Sequence, residues 1–159
     1  MKNITFKTYS LGCRANQAEM NDLADKLSQE GFISRKNDLD LLLLNTCAVT
    51  GQAEKDTRKA INKLRRENPK AYLVVLGCGI DAKEKLKINL PQADLLVLNK
   101  DKESVVQLIK EKFATEQNFK NLGQNKYLKS GRSLLKIQDG CNKFCAYCIV
   151  PLLRGKPKS

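Results

Sequence analysis

Four times between residues 4 and 113 a short apolar or β-branched run gives way to a stretch with apolar residues at helical spacing, and this alternation leaves the chain few folds to choose from. Ile4 to Ser10 alternates with β-branched and aromatic residues; Gln17 to Glu30 then sets Met20, Leu23, Ala24 and Leu27 on one helical face before Gly31 stops it. Asp40 to Asn45 is a buried-strand run, and the basic helix expected over Gln52 to Asn68 carries a sparse apolar stripe of Ala53, Ala60, Ile61 and Leu64 until Pro69 ends it. Ala71 to Gly77 and Ala82 to Leu90 make a third strand and helix, and Ala93 to Leu98 with Lys102 to Phe113 a fourth. Helices that return the chain between strands impose parallel pairing, so the expectation is an α/β domain: a mostly parallel sheet with helices on both faces.

This first unit is expected to occupy residues 1–115. Residues 116–132 turn to Asn, Gln, Lys and Gly with few large apolar side chains, the composition of a linker. Ser133 to Gln138 then reads as another strand, opening a second unit over 133–159. Eleven residues follow Cys148, too few for a second core, so that unit is expected to be a truncated start.

The second unit contains Asp139-Gly-Cys-Asn-Lys-Phe-Cys-Ala-Tyr-Cys-Ile-Val-Pro151, in which Cys141, Cys145 and Cys148 form a C-x-x-x-C-x-x-C triad. Electron-transfer clusters take four cysteines; three close together with no local fourth suggest a four-iron cluster with one iron left open for a ligand. A structural zinc site would need a fourth ligand, yet the nearest other cysteine is Cys78 and the chain has no histidine. A disulfide framework would need an oxidising compartment, and no leader-like segment precedes Ile4, so reduced cysteines and a cytoplasmic location are expected.

The other three cysteines, Cys13, Cys47 and Cys78, each lie just past the end of an expected strand. In an open parallel sheet those ends share one edge, where ligands bind, so three thiols distant in sequence could converge. Gly12 and Gly77 would let the backbone turn tightly beside them. Three unrelated buried cysteines fit the same positions, and position alone does not separate the two readings.

Lys and Arg outnumber Asp and Glu by 29 to 17, a net charge of +12, which favours a polyanionic partner: RNA, DNA or an anionic surface. The apolar runs are too short to span a bilayer. The missing histidine excludes imidazole catalysis and histidine metal sites.

Leu11-Gly-Cys-Arg-Ala-Asn16, Asn45-Thr-Cys-Ala-Val-Thr50, Leu76-Gly-Cys78 and the triad segment occur in the order found in the methylthiotransferases, a family of radical S-adenosylmethionine enzymes that the whole chain resembles. The resemblance implies a flavodoxin-like first domain whose Cys13, Cys47 and Cys78 hold an auxiliary 4Fe-4S cluster. It implies next the first strand and cluster loop of a partial βα barrel, with a second 4Fe-4S cluster on Cys141, Cys145 and Cys148. Tyr147 matches an aromatic position near the adenine of S-adenosylmethionine; an aromatic packing on the barrel is its alternative.

Further implications of the resemblance are a deoxyadenosyl radical that takes hydrogen from carbon 2 of an adenine in tRNA, methylthiolation there, and an electron donor and a sulfur donor as partners, with no membrane and no DNA. The Asn45 to Thr50 motif and the following helix resemble the branch acting on threonylcarbamoyladenosine; the isopentenyladenosine branch usually has Arg in place of Thr50. Lys55, Arg58, Lys59, Lys63, Arg65 and Arg66 could follow tRNA phosphates, or be a solvated helix face. The chain departs from the family at Gly79-Ile80-Asp81, where an Ala-Gln pair is usual, at Leu152, commonly aromatic, and at Pro157, usually Glu. A flavin-binding electron-transfer module and a non-catalytic iron-sulfur or tRNA-binding fragment are the rival readings.

Overall fold

The computed structural model describes residues 3–114 and 134–159. Its elements in chain order are β1 (Thr5–Ser10), α1 (Arg14–Gln29), β2 (Ile33–Ser34), β3 (Leu41–Thr46), α2 (Gly51–Glu67), β4 (Tyr72–Gly77), α3 (Cys78–Leu86), β5 (Leu95–Val97), a 3-10 helix (Asn99–Ser104), α4 (Val105–Phe113) and α5 (Val150–Arg154). The five strands form one sheet in the order β2-β1-β3-β4-β5, every pair parallel. That is the flavodoxin-like order, and the expected parallel α/β sheet is present.

The central strands β3 and β4 are covered on both sides, which is why Leu41-Leu-Leu-Leu44 and Leu73-Val-Val-Leu76 are continuous apolar runs. Alternate residues part to the two faces. Leu41, Leu43, Val74 and Leu76 pack with Met20, Leu23, Ala24 and Leu27 of α1 and with Val105, Ile109 and Phe113 of α4. Leu42, Leu44, Leu73 and Val75 pack with Ile61 and Leu64 of α2 and Ile80 of α3. Each fully buried leucine contributes about 1.5–3 kcal/mol of transfer free energy.

Several boundaries differ from expectation for identifiable reasons. Helix α3 starts at Cys78, four residues before the expected Ala82, because Gly77 (φ +96°) makes the whole strand-to-helix turn alone. Helix α3 then stops at Leu86, and Lys87 takes a left-handed conformation instead of continuing to Leu90. Residues 102–104 belong to the 3-10 helix, which delays α4 to Val105. Strand β2 has two residues, too short to leave a pattern in the sequence.

The strand expected over Ser133 to Gln138 is not formed by residues 134–138. Among the described residues no strand lies beside them, and Leu135 and Ile137 stand 86% and 77% exposed. The expected linker, 116–132, lies outside the described residues. Residues 134–159 meet the sheet domain at its carboxyl edge: Leu153 is buried with Cys78 and Ala82, and its carbonyl and that of Leu152 accept from Asn99 (3.3 Å) and Lys85 (2.6 Å).

Candidate metal centre

Strands β1, β3 and β4 are adjacent, with Ser10 opposite Asn45 and Thr46 opposite Gly77, so the chain leaves all three strands at one edge. Cys47 and Cys78 directly follow these strand ends and are buried; Cys13 is exposed at the start of α1. The cysteine-bearing loops touch. A Cβ built on Gly12 (φ +85°) would stand 2.6 Å from Cys47 Sγ, and one on Gly79 would stand 2.6 Å from Thr46 Oγ1 and 3.6 Å from the Cys47 carbonyl oxygen. Gly77 fits as closely, since a Cβ there would lie 2.1 Å from Asn45 Oδ1.

Asn16, fully buried, ties the first two loops together by donating from Nδ2 to the carbonyls of Leu11 and Thr46, both at 2.9 Å. Its Oδ1 faces the Cys13 thiol at 3.7 Å. The Cys78 sulfur accepts from Arg154 Nε at 3.3 Å and faces Asn99 Nδ2 at 3.8 Å.

All six cysteines are free thiols. Among the described residues no three Cys, Asp or Glu side chains close around a single metal ion, which a zinc site would require. An iron-sulfur cluster takes one thiolate per iron and so holds its ligands farther apart. Three thiols on one sheet edge, with glycine backbone between them, match that donor chemistry.

The second trio lies on a loop closed at its neck. Asp139 and Lys158 exchange backbone hydrogen bonds at 2.9 and 2.8 Å, and Cys141 N–H donates to the Gly155 carbonyl at 3.0 Å. Gly140 (φ +73°) is required there, since a Cβ would meet the Lys156 carbonyl oxygen at 2.4 Å. Cys145 and Cys148 bracket a turn with a 2.9 Å hydrogen bond between their backbones. Cys145 is exposed, Cys141 and Cys148 are half-buried, and Tyr147 stands 93% exposed.

Beside both trios lies a polar cluster that sequence reasoning missed. The Glu19 carboxylate accepts from Lys102 (2.5 Å), Lys136 (2.9 Å), Arg154 (2.9 Å) and Asn45 (3.0 Å). Burial alone would raise its pKa, but these cations outweigh burial and hold it down to about 2. Asp139 behaves likewise: burial opposes its charge, Arg154 and Lys136 restore it, and its pKa is also about 2. Burial also works against the charge of Arg154, but Cys78, Glu19 and Asp139 more than compensate and push its pKa above the ordinary arginine value. Asn16, Asn45 and Asp139 lie within the quoted motifs, whereas Glu19, Lys102, Lys136 and Arg154 read as ordinary charged residues.

The basic residues of α2 divide into two sets. Arg58 is engaged by Glu54 and the Asn89 carbonyl (2.9 Å), and Arg65 by Asp94 (2.7 Å) and the Ala71 carbonyl (3.1 Å). Lys63 lies 3.9 Å from Glu67. Lys55, Lys59 and Arg66 are exposed and make no ion pair among the described residues.

Comparison with known proteins adds a family. The model of the Uncharacterized protein family UPF0004 matches residues 5–98, which include Cys13, Cys47 and Cys78. The chain is 39% identical over 158 residues to the threonylcarbamoyladenosine tRNA methylthiotransferase MtaB of Chlamydia pneumoniae, covering 98% of this chain and 37% of that protein. It is 33% identical to the MtaB of Aquifex aeolicus over 98% of this chain and 41% of the relative. A tRNA-2-methylthio-N(6)-dimethylallyladenosine synthase of Moorella thermoacetica is 30% identical, covering 98% of this chain and 39% of the relative. The chain thus spans about two fifths of the length of these relatives.

Proposed function

Since the chain belongs to the UPF0004 family, we propose that it is the cluster-bearing part of a tRNA methylthiotransferase that modifies threonylcarbamoyladenosine at carbon 2. The observation that carries this reading is the meeting of the Cys13, Cys47 and Cys78 loops at one sheet edge. Of the relatives that match over 98% of the chain, two are by name threonylcarbamoyladenosine tRNA methylthiotransferases and the third is a tRNA-2-methylthio-N(6)-dimethylallyladenosine synthase.

In this reading Cys13, Cys47 and Cys78 hold one 4Fe-4S cluster, and Cys141, Cys145 and Cys148 hold the other. When bound, such clusters supply an electron and open iron positions for S-adenosylmethionine and for sulfur. The chain's own groups do the holding. Gly12 and Gly77 let backbone pass where a side chain would intrude, while Arg154 directs an N–H at the Cys78 sulfur. Tyr147, unpacked on the triad loop, is available to cover the adenine of the cofactor.

The choice of threonylcarbamoyladenosine is supported by the Asn45 to Thr50 motif and by the MtaB relatives. Thr50 also has a local task, since its hydroxyl caps α2 by accepting from the Ala53 N–H at 3.1 Å. Its identity therefore weighs less on substrate, and the Moorella relative keeps isopentenyl-type adenosine as the second reading. Lys55, Lys59, Lys63 and Arg66 are the groups offered to tRNA phosphates; an electron donor and a sulfur donor complete the partners. No helix among the described residues is long and apolar enough to cross a membrane, and a cytoplasmic setting suits the six free thiols.

The test joins the chain at Ser159 to the part of the Chlamydia relative that lies beyond the matched region, and expresses it in cells lacking their own methylthiotransferases. Mass spectrometry of the tRNA should find the methylthio group on threonylcarbamoyladenosine. Product on isopentenyladenosine alone would transfer the protein to the second reading, and no product on either, from folded and iron-loaded protein, would overturn the reading.

A further inference from the structure

The residue that completes the surroundings of the first cysteine trio comes from the segment that carries the second. Arg154 lies 76 residues beyond Cys78, yet its side chain is only 7% exposed and each of its nitrogens has a partner at the sheet edge. Nε donates to Cys78 Sγ at 3.3 Å. Nη1 donates to Glu19 at 2.9 Å and to Asp139 at 2.6 Å, and Nη2 donates to Asn16 Oδ1 at 2.6 Å.

Those partners belong to different parts of the molecule. Asn16 grips the loops that lead to Cys13 and Cys47 through the Leu11 and Thr46 carbonyls. Glu19 stands one turn farther along α1. Asp139 forms the neck of the triad loop through its paired backbone bonds with Lys158. The planar guanidinium thus reaches all three cysteine loops of the first trio, directly or through Asn16, and the neck of the loop bearing the second. A helix as short as α5, with five residues, does not hold its own shape, so its place depends on such contacts.

We propose that Arg154 is a positioning residue shared by the two cysteine sites: it fixes the Cys78 sulfur and clamps the neck of the triad loop onto the sheet edge, so that the sites form one unit. A lysine would keep the charge but cannot span four acceptors with a rigid fork. The inference about seating needs only the protein; the inference about the Cys78 sulfur rests on the cluster reading above.

Two measurements on Arg154→Met and Arg154→Lys test it. In metal-free protein, hydrogen exchange over residues 139–158 should be faster by roughly tenfold or more in both variants, while β3 and β4 stay protected. Unchanged exchange over 139–158 would overturn the clamp, and full rescue by lysine would show that charge alone suffices and overturn the role of the fork. The second measurement uses the Cys141→Ala/Cys145→Ala/Cys148→Ala protein, reconstituted anaerobically with iron and sulfide. Adding Arg154→Met should lower the reduction potential of the remaining cluster, because an N–H donor to a ligand sulfur is lost. A cluster that forms with unchanged potential and electron paramagnetic resonance signal would refute the contact, whereas no cluster in the parent protein would count against the cluster reading and leave the exchange result to decide the clamp.

Discussion

Gly12 lies so close to Cys47 that a Cβ at position 12 would stand 2.4 Å from the Cys47 Cβ. Its φ of +85° adds a second reason for glycine. Both arise because the chain leaving β1 passes Gly12 against the residue that follows the end of β3, which is Cys47.

Gly12→Ala should therefore displace Cys47 or the loop itself. A cost of about 1–3 kcal/mol is expected from strain and overpacking. Gly51 has nothing within 4 Å of its would-be Cβ and no positive φ, so Gly51→Ala serves as the control and should leave stability unchanged or slightly raised. Thermal unfolding compares them, and the iron bound by the first trio should fall in Gly12→Ala alone. Equal behaviour of the two variants would show that the close approach at Gly12 carries no weight.

The polar cluster predicts an acid transition. Glu19 and Asp139 have pKa values of about 2 in the folded protein, against ordinary values of 4.5 and 3.8. Carboxylates depressed in this way stabilise the fold fully above their unfolded pKa, and the contribution disappears as pH falls through the folded value. The unfolding temperature should thus lose this contribution between about pH 4.5 and 2. Asp81 works in the opposite sense, since burial raises its pKa, so the informative quantity is the gap between wild type and Glu19→Gln. That gap should be wide at pH 7, where the variant leaves Lys102, Lys136 and Arg154 short of a counter-charge, and should narrow towards pH 2. A gap independent of pH would contradict the ionised cluster.

The strands could be read from the sequence because β3 and β4 are apolar on both faces, and no alternative element suits Leu41-Leu-Leu-Leu44. The cysteine edge followed from topology, since residues just past parallel strands must share an edge. The early start of helix α3 is not legible in the sequence, because Gly77 does alone what a longer loop usually does. Leu135 and Ile137 alternate like a strand, but a strand needs a neighbour, and none pairs with them among the described residues. The pairing of Arg154 with Glu19 is not legible for a related reason: it joins positions 135 residues apart, and nothing in either local context marks a charge that will be buried. Nor could the sequence divide the basic helix into Arg58 and Arg65, tied to the segment around Asn89 and Asp94, and Lys55, Lys59 and Arg66, which make no ion pair among the described residues.

Iron content gives the next test. Anaerobic reconstitution should yield up to roughly eight irons per chain as two clusters, with sulfide in equal number. Replacing Cys13, Cys47 and Cys78 by Ala should remove about half, and replacing Cys141, Cys145 and Cys148 should remove the other half. The triad cluster should be lost first on exposure to air, because Cys145 is exposed and Phe144 and Tyr147 beside it are unpacked. Zinc in place of iron in protein purified without oxygen would contradict both assignments.

The basic face of α2 offers a sharper test than its total charge. Lys55, Lys59, Lys63 and Arg66 recur at three- and four-residue intervals and so form one stripe, on the side away from the buried Thr57, Ile61 and Leu64. If that stripe follows tRNA phosphates, binding should weaken as salt rises, because each contact releases a counterion. Changing Lys55, Lys59 and Arg66 to Gln should reduce the slope of log affinity against log salt by about 2–3 units, since each phosphate contact contributes about 0.7–0.9. Changing Arg58 and Arg65 instead should leave the slope nearly unaltered and lower stability by about 0.2–1 kcal/mol for each lost pair, because their charges already face Glu54 and Asp94. The first variant removes three charges and the second two, so net charge alone predicts slope losses in a ratio of about 3 to 2; a loss of slope from the Arg58 and Arg65 changes as large as that ratio or larger would show that RNA takes these residues from their intramolecular partners and would reject the stripe.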